Sequence, residues 1–180
     1  HCGRLPLLVK RGFRGRIFTT PATRDLCALM LVDSAHIQAE DAKYISRKHM
    51  KLGLDPVEPL YNDEDVEAAI LRFQTVAHEQ PFWVTKRLRV TFHGAGHMLG
   101  ASSVELVYSP PDSKKPVSLV FTGDLGRFGQ PILRDPTALP ACDYLITEST
   151  YGGRVHPPTS DLKEQLADVV KPQGSVCTIV

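Results

Sequence analysis

At 180 residues, 42% hydrophobic and 23% charged, the chain fits one domain long enough to bury a core. Its net charge of +1 excludes a global field for nucleic acid or membrane, so any such binding needs a local patch. Cys2, Cys27, Cys142 and Cys177 show no CxxC spacing, which excludes a disulfide framework and a zinc knuckle and predicts a reducing, cytoplasmic setting. No apolar run approaches the ~20 residues that span a bilayer.

In chain order, Leu5, Leu7, Leu8 and Val9 give a short helix within residues 1–10, stopped by Gly12. Residues 15–18 read as a short strand. Thr20 followed by Pro21 predicts a helix start, with Leu26, Leu29, Met30 and Asp33 along one face. A second, strongly charged helix is predicted over roughly residues 35–50, its charge facing solvent. Asp55-Pro56 and Glu58-Pro59 break the chain. Asn62 caps a further helix running to Phe73, and Asp63, Glu64 and Asp65 suit its positive end.

The period then changes from helical to strand-like. Residues 82–84, 88–92 and 103–108 are predicted strands. Leu88, Val90 and Phe92 alternate with Arg89 and Thr91, which predicts one buried face. Residues 110–116, rich in proline, form a hairpin-type loop. Residues 117–121 and 144–147 are continuously apolar, as expected of strands covered on both sides. Residues 161–170 are an amphipathic helix. Residues 176–180 read as a strand with nothing to pair it. That ending, and the start on histidine, predict that the chain is a fragment. Helices, then strands, then helix suggest sheets covered by helices.

Chemistry gathers at three predicted strand ends. His97 lies in the loop Gly94-Ala95-Gly96-His97-Met98-Leu99-Gly100-Ala101. Asp124 lies in Thr122-Gly123-Asp124-Leu125-Gly126-Arg127. Glu148 lies in Thr147-Glu148-Ser149-Thr150-Tyr151-Gly152. Small neighbours let backbone approach a bound group closely. Taken alone, His97 reads as a hydrogen-bonded loop residue and Asp124 as a turn aspartate. Together, imidazole and carboxylate suit a divalent cation, and zinc accepts both. Two donors do not hold a catalytic metal; three is the usual minimum. His1 is a candidate third.

These strings, with the opening His1-Cys2-Gly3-Arg4-Leu5 and the stretches Thr20-Pro21-Ala22-Thr23 and Asp33-Ser34-Ala35-His36, resemble the metallo-β-lactamase superfamily. Within it the chain is similar to the β-CASP nucleases that cut RNA. The opening looks like the last histidine of that family's first metal run. Ala95–Ala101 looks like the next metal-histidine motif, Thr122–Arg127 like the bridging-aspartate motif, and Glu148–Gly152 like the first β-CASP motif. The resemblance implies an α/β (α+β) architecture: a partial αββα metallo-β-lactamase fold lacking its first strands and the β-CASP insertion. Residues 1–174 would be the partial domain, and residues 175–180 the first strand leading into the β-CASP domain.

The resemblance further implies zinc, with His1 on one ion, His97 on the other and Asp124 bridging both. Two metals ~3.5–4 Å apart share a hydroxide that attacks phosphorus in line, leaving a 5′-phosphate and a 3′-hydroxyl. Asp124 and Glu148 are then the catalytic residues, Glu148 by orienting a histidine of a later motif. Arg127 and Arg154 are candidate contacts to RNA phosphates, with salt bridges inside the fold as the alternative. RNA is the implied partner, with no membrane, in a homodimer or an RNA-processing complex. The first metal run is largely absent, and so are the later histidines. The chain alone is therefore expected to bind zinc weakly and not to cut RNA.

Other residues receive structural readings. His93 is a strand-end residue, or one that supports the metal ligands from behind, rather than a ligand itself. His36, His49, His78 and His156 are ordinary surface, helix or loop histidines, and Trp83 is core or strand packing. Lys10, Arg11, Arg14 and Arg16 form a basic cluster, either a contact for RNA phosphates or a solvated helix end. Two other functions stay open. One is a hydrolase of this fold acting on a different substrate, which the Glu-Ser-Thr-Tyr-Gly string disfavours. The other is a non-catalytic partner subunit of an RNA-processing complex.

Overall fold

A computed structural model describes residues 2–112, 115–154 and 162–170, the side chains of 162, 169 and 170 excepted. The chain divides into two units, His1–Glu148 and Ser149–Val180. The first holds α1 (Leu5–Lys10), β1 (Ile17–Thr19), α2 (Pro21–Lys51), α3 (Asp63–Ile70), β2 (Phe73–Thr75), β3 (Phe82–Thr85), β4 (Leu88–Gly94), β5 (Ser102–Tyr108), β6 (Val117–Phe121) and β7 (Tyr144–Ile146). The second holds a turn in which Gly152 N donates to Ser149 O and Arg154 N to Tyr151 O, and α4 (Leu162–Val170). The architecture is mixed α and β, as the sequence predicts.

The helix starts follow their caps. Thr20 accepts the Thr23 N–H ahead of Pro21. Asn62 and Asp65 exchange side-chain-to-backbone bonds in a capping box, with three acidic residues in the first turn of α3. The two helices expected between residues 20 and 50 are one helix of 31 residues, because nothing between them breaks the 3.6-residue period. Its buried face is also not the predicted one: Cys27, Leu31, Ala35 and Ala42 are buried, while Leu29 and Met30 are exposed. Cys27, Leu31 and Ala35, at i, i+4 and i+8, form one stripe that packs α2 on its partners. Predicted to reach Phe73, α3 ends at Ile70, and Phe73 opens β2, paired parallel with β1 in the register Ile17↔Phe73.

Two apolar clusters stabilise this unit. Cys27, Leu31, Ala35, Tyr61 and Val66 form the helical one, with Leu7, Ile70 and Phe73 against it. Burying Leu31 and Val66 contributes about 2 kcal/mol each. Tyr61, fully buried, satisfies its hydroxyl on Gly3 O at 2.9 Å, with Ser34 Oγ also 2.9 Å away. The second cluster is Val76, Val90 and Phe92, packed against Phe18, Phe82, Leu88, Val104 and Leu106. Phe82 links Phe18 and Phe92 at ring separations of 4.7 and 5.3 Å.

The larger sheet has the order β3-β4-β5-β6-β7, antiparallel up to β6 and parallel between β6 and β7. The carboxyl ends of β4, β6 and β7 therefore lie at one end of the sheet. Three expectations need correction here. First, β4 does not bury one face only, because Thr91 and His93 are buried opposite Val90 and Phe92. Second, among the described residues β7 is an edge strand with Tyr144, Leu145 and Ile146 all exposed, and β6 is fully buried only at Val120. Continuous apolarity recorded a parallel strand, but not what covers it. Third, of the two readings of Trp83, strand packing holds and core packing does not: it sits on the other edge strand, β3, and is 60% exposed.

Candidate functional site

The end of β4 is held before its loop begins. Glu79 lies at a left-handed φ of 61°, uncommon for a residue with a side chain. From there its Oε1 accepts the Gly94 N–H at 3.2 Å, and its Oε2 lies 2.6 Å from His93 Nδ1. The other ring nitrogen of His93 lies 3.4 Å from Glu105 Oε2. Ser103 pairs with His93, so Glu105 is the diagonal neighbour on the same face. Burial alone would push the Glu79 carboxyl up. The bonds from His93, Gly94 N–H and Thr137, with the attraction of His93, outweigh it and hold the group below its ordinary value.

The loop itself closes on its own backbone, Ala95 N donating to Ala101 O at 3.1 Å and Ala101 N to Met98 O at 3.0 Å. The start of α2 grips its far end. The Thr20 and Thr23 hydroxyls lie 3.0 and 2.9 Å from Gly100 O. Gly100 has φ 83°, and a Cβ there would fall 2.5 Å from Thr23 Oγ1, so only glycine fits. His97 is presented to solvent at the crown of this loop.

The crossover from β6 to β7, residues 122–143, carries Asp124. Thr122 N donates to Ile146 O at 2.9 Å, and Ser103 Oγ to Thr122 O at 2.8 Å. Gly126 N then donates to Ala95 O at 2.8 Å. A Cβ on Gly126 would lie 1.8 Å from Gly96 O and 2.5 Å from His97 N. The two loops thus touch backbone to backbone, which only a glycine permits. Glu148, half-buried beyond β7, accepts the Leu125 N–H through Oε1 at 2.7 Å. His97, Asp124 and Glu148 are therefore carried on loops tied to one another at one end of the sheet.

Imidazole and carboxylate suit a borderline divalent cation. Among the described residues, however, no three His, Cys, Asp or Glu side chains gather to hold a metal ion. His97 and Asp124 are a partial donor set, and His1 lies outside the described residues. Arg127 is half-buried beside Asp124 in sequence, while Arg154 belongs to the second unit. A concave space of about 550 Å³ adjoins the His97 loop, lined by His78, Glu79, Met98, Leu99 and Arg134 among others.

Of the residues given structural readings, His36 pairs with Asp63 at 3.2 Å, His49 bonds Asp55 O at 2.8 Å and His78 bonds Ser102 Oγ at 3.0 Å. His156 lies outside the described residues. What the sequence reading missed is the Glu79–His93–Glu105 cluster. Its signal was a glutamate inside an apolar strand two positions from the residue facing a histidine.

The chain is similar to three proteins that place it. It is 28% identical to Ribonuclease TTHA0252 of Thermus thermophilus over 95% of this chain and 34% of that protein. It is 33% identical to Transcription termination factor FttA of Thermococcus kodakarensis over 94% of this chain and 24% of that protein. It is 31% identical to Cleavage and polyadenylation specificity factor 73 of Drosophila melanogaster over 99% of this chain and 24% of that protein. The chain thus spans a quarter to a third of the length of the relatives it matches. No protein-family model matches it. Through almost its whole length, the chain is thus similar to part of the β-CASP RNA nucleases of the metallo-β-lactamase superfamily.

Proposed function

We propose that the whole protein is a zinc-dependent ribonuclease, and that this chain is part of its αββα metallo-β-lactamase core. The observation that carries the proposal is the seating of the Asp124 loop on the His97 loop through Gly126 N and Ala95 O, 2.8 Å apart. It brings an imidazole-bearing and a carboxylate-bearing loop together in a chain similar to proteins named for ribonuclease and RNA-cleavage roles.

In this proposal His97 and Asp124 join His1 and donors outside the chain in holding two zinc ions. Zinc, once bound, supplies Lewis acidity at the phosphoryl oxygens and a nucleophile at neutral pH. The chain's own residues do the positioning. Thr20 and Thr23 hold the His97 loop by Gly100 O. Glu148 holds the Asp124 loop by Leu125 N–H, and the family resemblance also gives it a histidine to orient. Arg127 and Arg154 remain candidates for phosphate contact. Hydrolysis leaves a 5′-phosphate and a 3′-hydroxyl. The protein works in the cytoplasm, as a homodimer or within an RNA-processing complex.

The test is zinc content and RNA cleavage by the whole protein beside its Asp124→Ala variant. Two zinc ions per chain and cleavage, both lost in the variant, are expected. A protein that binds RNA but neither binds zinc nor cleaves would instead be a non-catalytic subunit, the alternative reading, against which the retained His97 and Asp124 count.

A further inference from the structure

A second concave surface lies away from the His97 loop: a shallow, open groove of about 490 Å³ lined by Arg14, Gly15, Arg16, Leu71, Arg72 and Phe73, with Gln74 at its edge. It contains none of His97, Asp124 or Glu148. Three of its lining residues are arginines, and Arg11 precedes them on the exposed end of α1. Lys10, the nearest lysine in sequence, is already paired with Asp65 at 3.4 Å.

The arginines are held, but not neutralised. Arg14 Nη1 donates to Val9 O at 3.2 Å and Phe13 O at 3.3 Å. Arg72 Nη1 donates to Arg14 O at 2.8 Å, and Arg16 Nη1 to Gln74 Oε1 at 3.3 Å. Every one of these acceptors is uncharged. Among the described residues, no carboxylate lies within ion-pair distance of Arg11, Arg14, Arg16 or Arg72. Arg72 Nε is buried without any partner. Guanidinium groups of one sign, gathered in a groove and fixed by neutral bonds, repel one another until an anion arrives. In a chain of net charge +1 this is a local patch of the kind nucleic-acid binding requires.

We propose that this groove binds the phosphodiester backbone of an RNA strand whose reacting part lies in the His97–Asp124 cleft. The choice of RNA rests on the ribonuclease reading above. β1 (Ile17–Thr19) links Arg16 at the groove to Thr20, whose hydroxyl meets Gly100 O. At about 3.3 Å per residue the groove is on the order of 10 Å from that end of β1. A dinucleotide cannot fill both places, while a longer strand can. The groove therefore adds affinity for long RNA and leaves the chemical step untouched.

The test uses the whole protein with Arg16→Gln, alone and with Arg72→Gln. The single variant guards against misfolding, since Arg72 also braces Arg14 O, whereas Arg16 is exposed. Binding to oligouridylates of 2 and 20 nucleotides is read by fluorescence anisotropy over a salt series, in an Asp124→Asn background that stops cleavage. For the longer strand, the slope of log K against log salt should fall by ~0.7 per arginine removed. The dinucleotide should bind as before. In the cleaving background, KM for the long strand should rise with kcat unchanged. An unchanged slope in both variants would overturn the proposal. So would an equal loss for both lengths, or polyglutamate competing as well as polyuridylate, which would mark a surface for an acidic protein. The ribonuclease reading fails separately: a fall in slope in a protein that never cleaves RNA supports the groove and removes the nuclease.

Discussion

His93 Nδ1 lies 2.6 Å from Glu79 Oε2, with the imidazole almost buried and the carboxylate half-exposed. An ionised carboxylate only accepts, so Nδ1 carries its proton toward Glu79. The same carboxylate takes the Gly94 N–H. One side chain thus fixes both the last ring of β4 and the first peptide of the loop bearing His97. Glu79 is held there at a backbone conformation that costs roughly 1–3 kcal/mol, offset by the bonds it gains.

Removing the ring should therefore cost more than its size suggests. His93→Ala leaves Glu105, whose side chain is 14% exposed, without this partner. We expect the unfolding free energy to fall by about 3 kcal/mol, read as a lower urea midpoint. Glu79→Gln should cost less, because Glu79 remains partly solvated and can keep a neutral bond to the ring. Equal midpoints for His93→Ala and wild type would refute the account.

Acid should act through the same contact. The folded Glu79 carboxyl titrates below its ordinary value of 4.5. Its contribution to stability is thus fully present above that value and disappears as pH falls through the lower, folded one. Wild type and Glu79→Gln should differ in stability at neutral pH and converge as pH drops below about 4. A gap that persists undiminished at about pH 2 would mean that another group carries the effect.

Gly126→Ala tests the meeting of the two loops. Its Cβ would overlap Gly96 O at 1.8 Å, and that atom is backbone with little freedom to move. The Asp124 loop must lift. On the ribonuclease reading we expect zinc binding and RNA cleavage to fall at least ~10-fold, the scale on which small misplacements act. An active Gly126→Ala enzyme with wild-type zinc content would show that the contact does not matter.

The 180-residue chain alone should take up less than one zinc per molecule after dialysis and leave RNA intact. Two described donors fall short of the three a catalytic site needs. Stoichiometric zinc in the isolated chain would contradict this.

Cys27 should resist alkylation. It is 2% exposed, and burial, followed by the neighbouring Cys2 thiol, pushes its own thiol up to about 12. Iodoacetamide with mass spectrometry should label the half-buried Cys142 first. Faster labelling of Cys27 would show that α2 opens readily.

Much of this fold could be read from local chemistry. Thr20-Pro21 and Asn62 with its acidic followers announced α2 and α3 because caps act through near neighbours. The strands around His97 and Asp124 were legible from alternation and glycine. The buried face of α2 was not, since Cys27 and Ala35 are chosen by what packs on them, while the bulkier Leu29 and Met30 drew the eye. What His93 bonds was hidden for a related reason. Its partners lie 14 and 12 residues away, and no period in the sequence links them. The loops bearing His97, Asp124 and Glu148 were foreseen at one sheet end. The bonds that tie them, Gly126 to Ala95 and Glu148 to Leu125, needed three dimensions.

The grip of Thr20 on Gly100 has a temporal side as well. The two residues are 80 positions apart. Closing so long a stretch costs entropy that only the surrounding packing recovers, and contacts of such separation slow folding. The His97 loop cannot take its working shape until α2, α3 and the first strands have come together. It is a late arrival in folding, and early to depart when the protein begins to open.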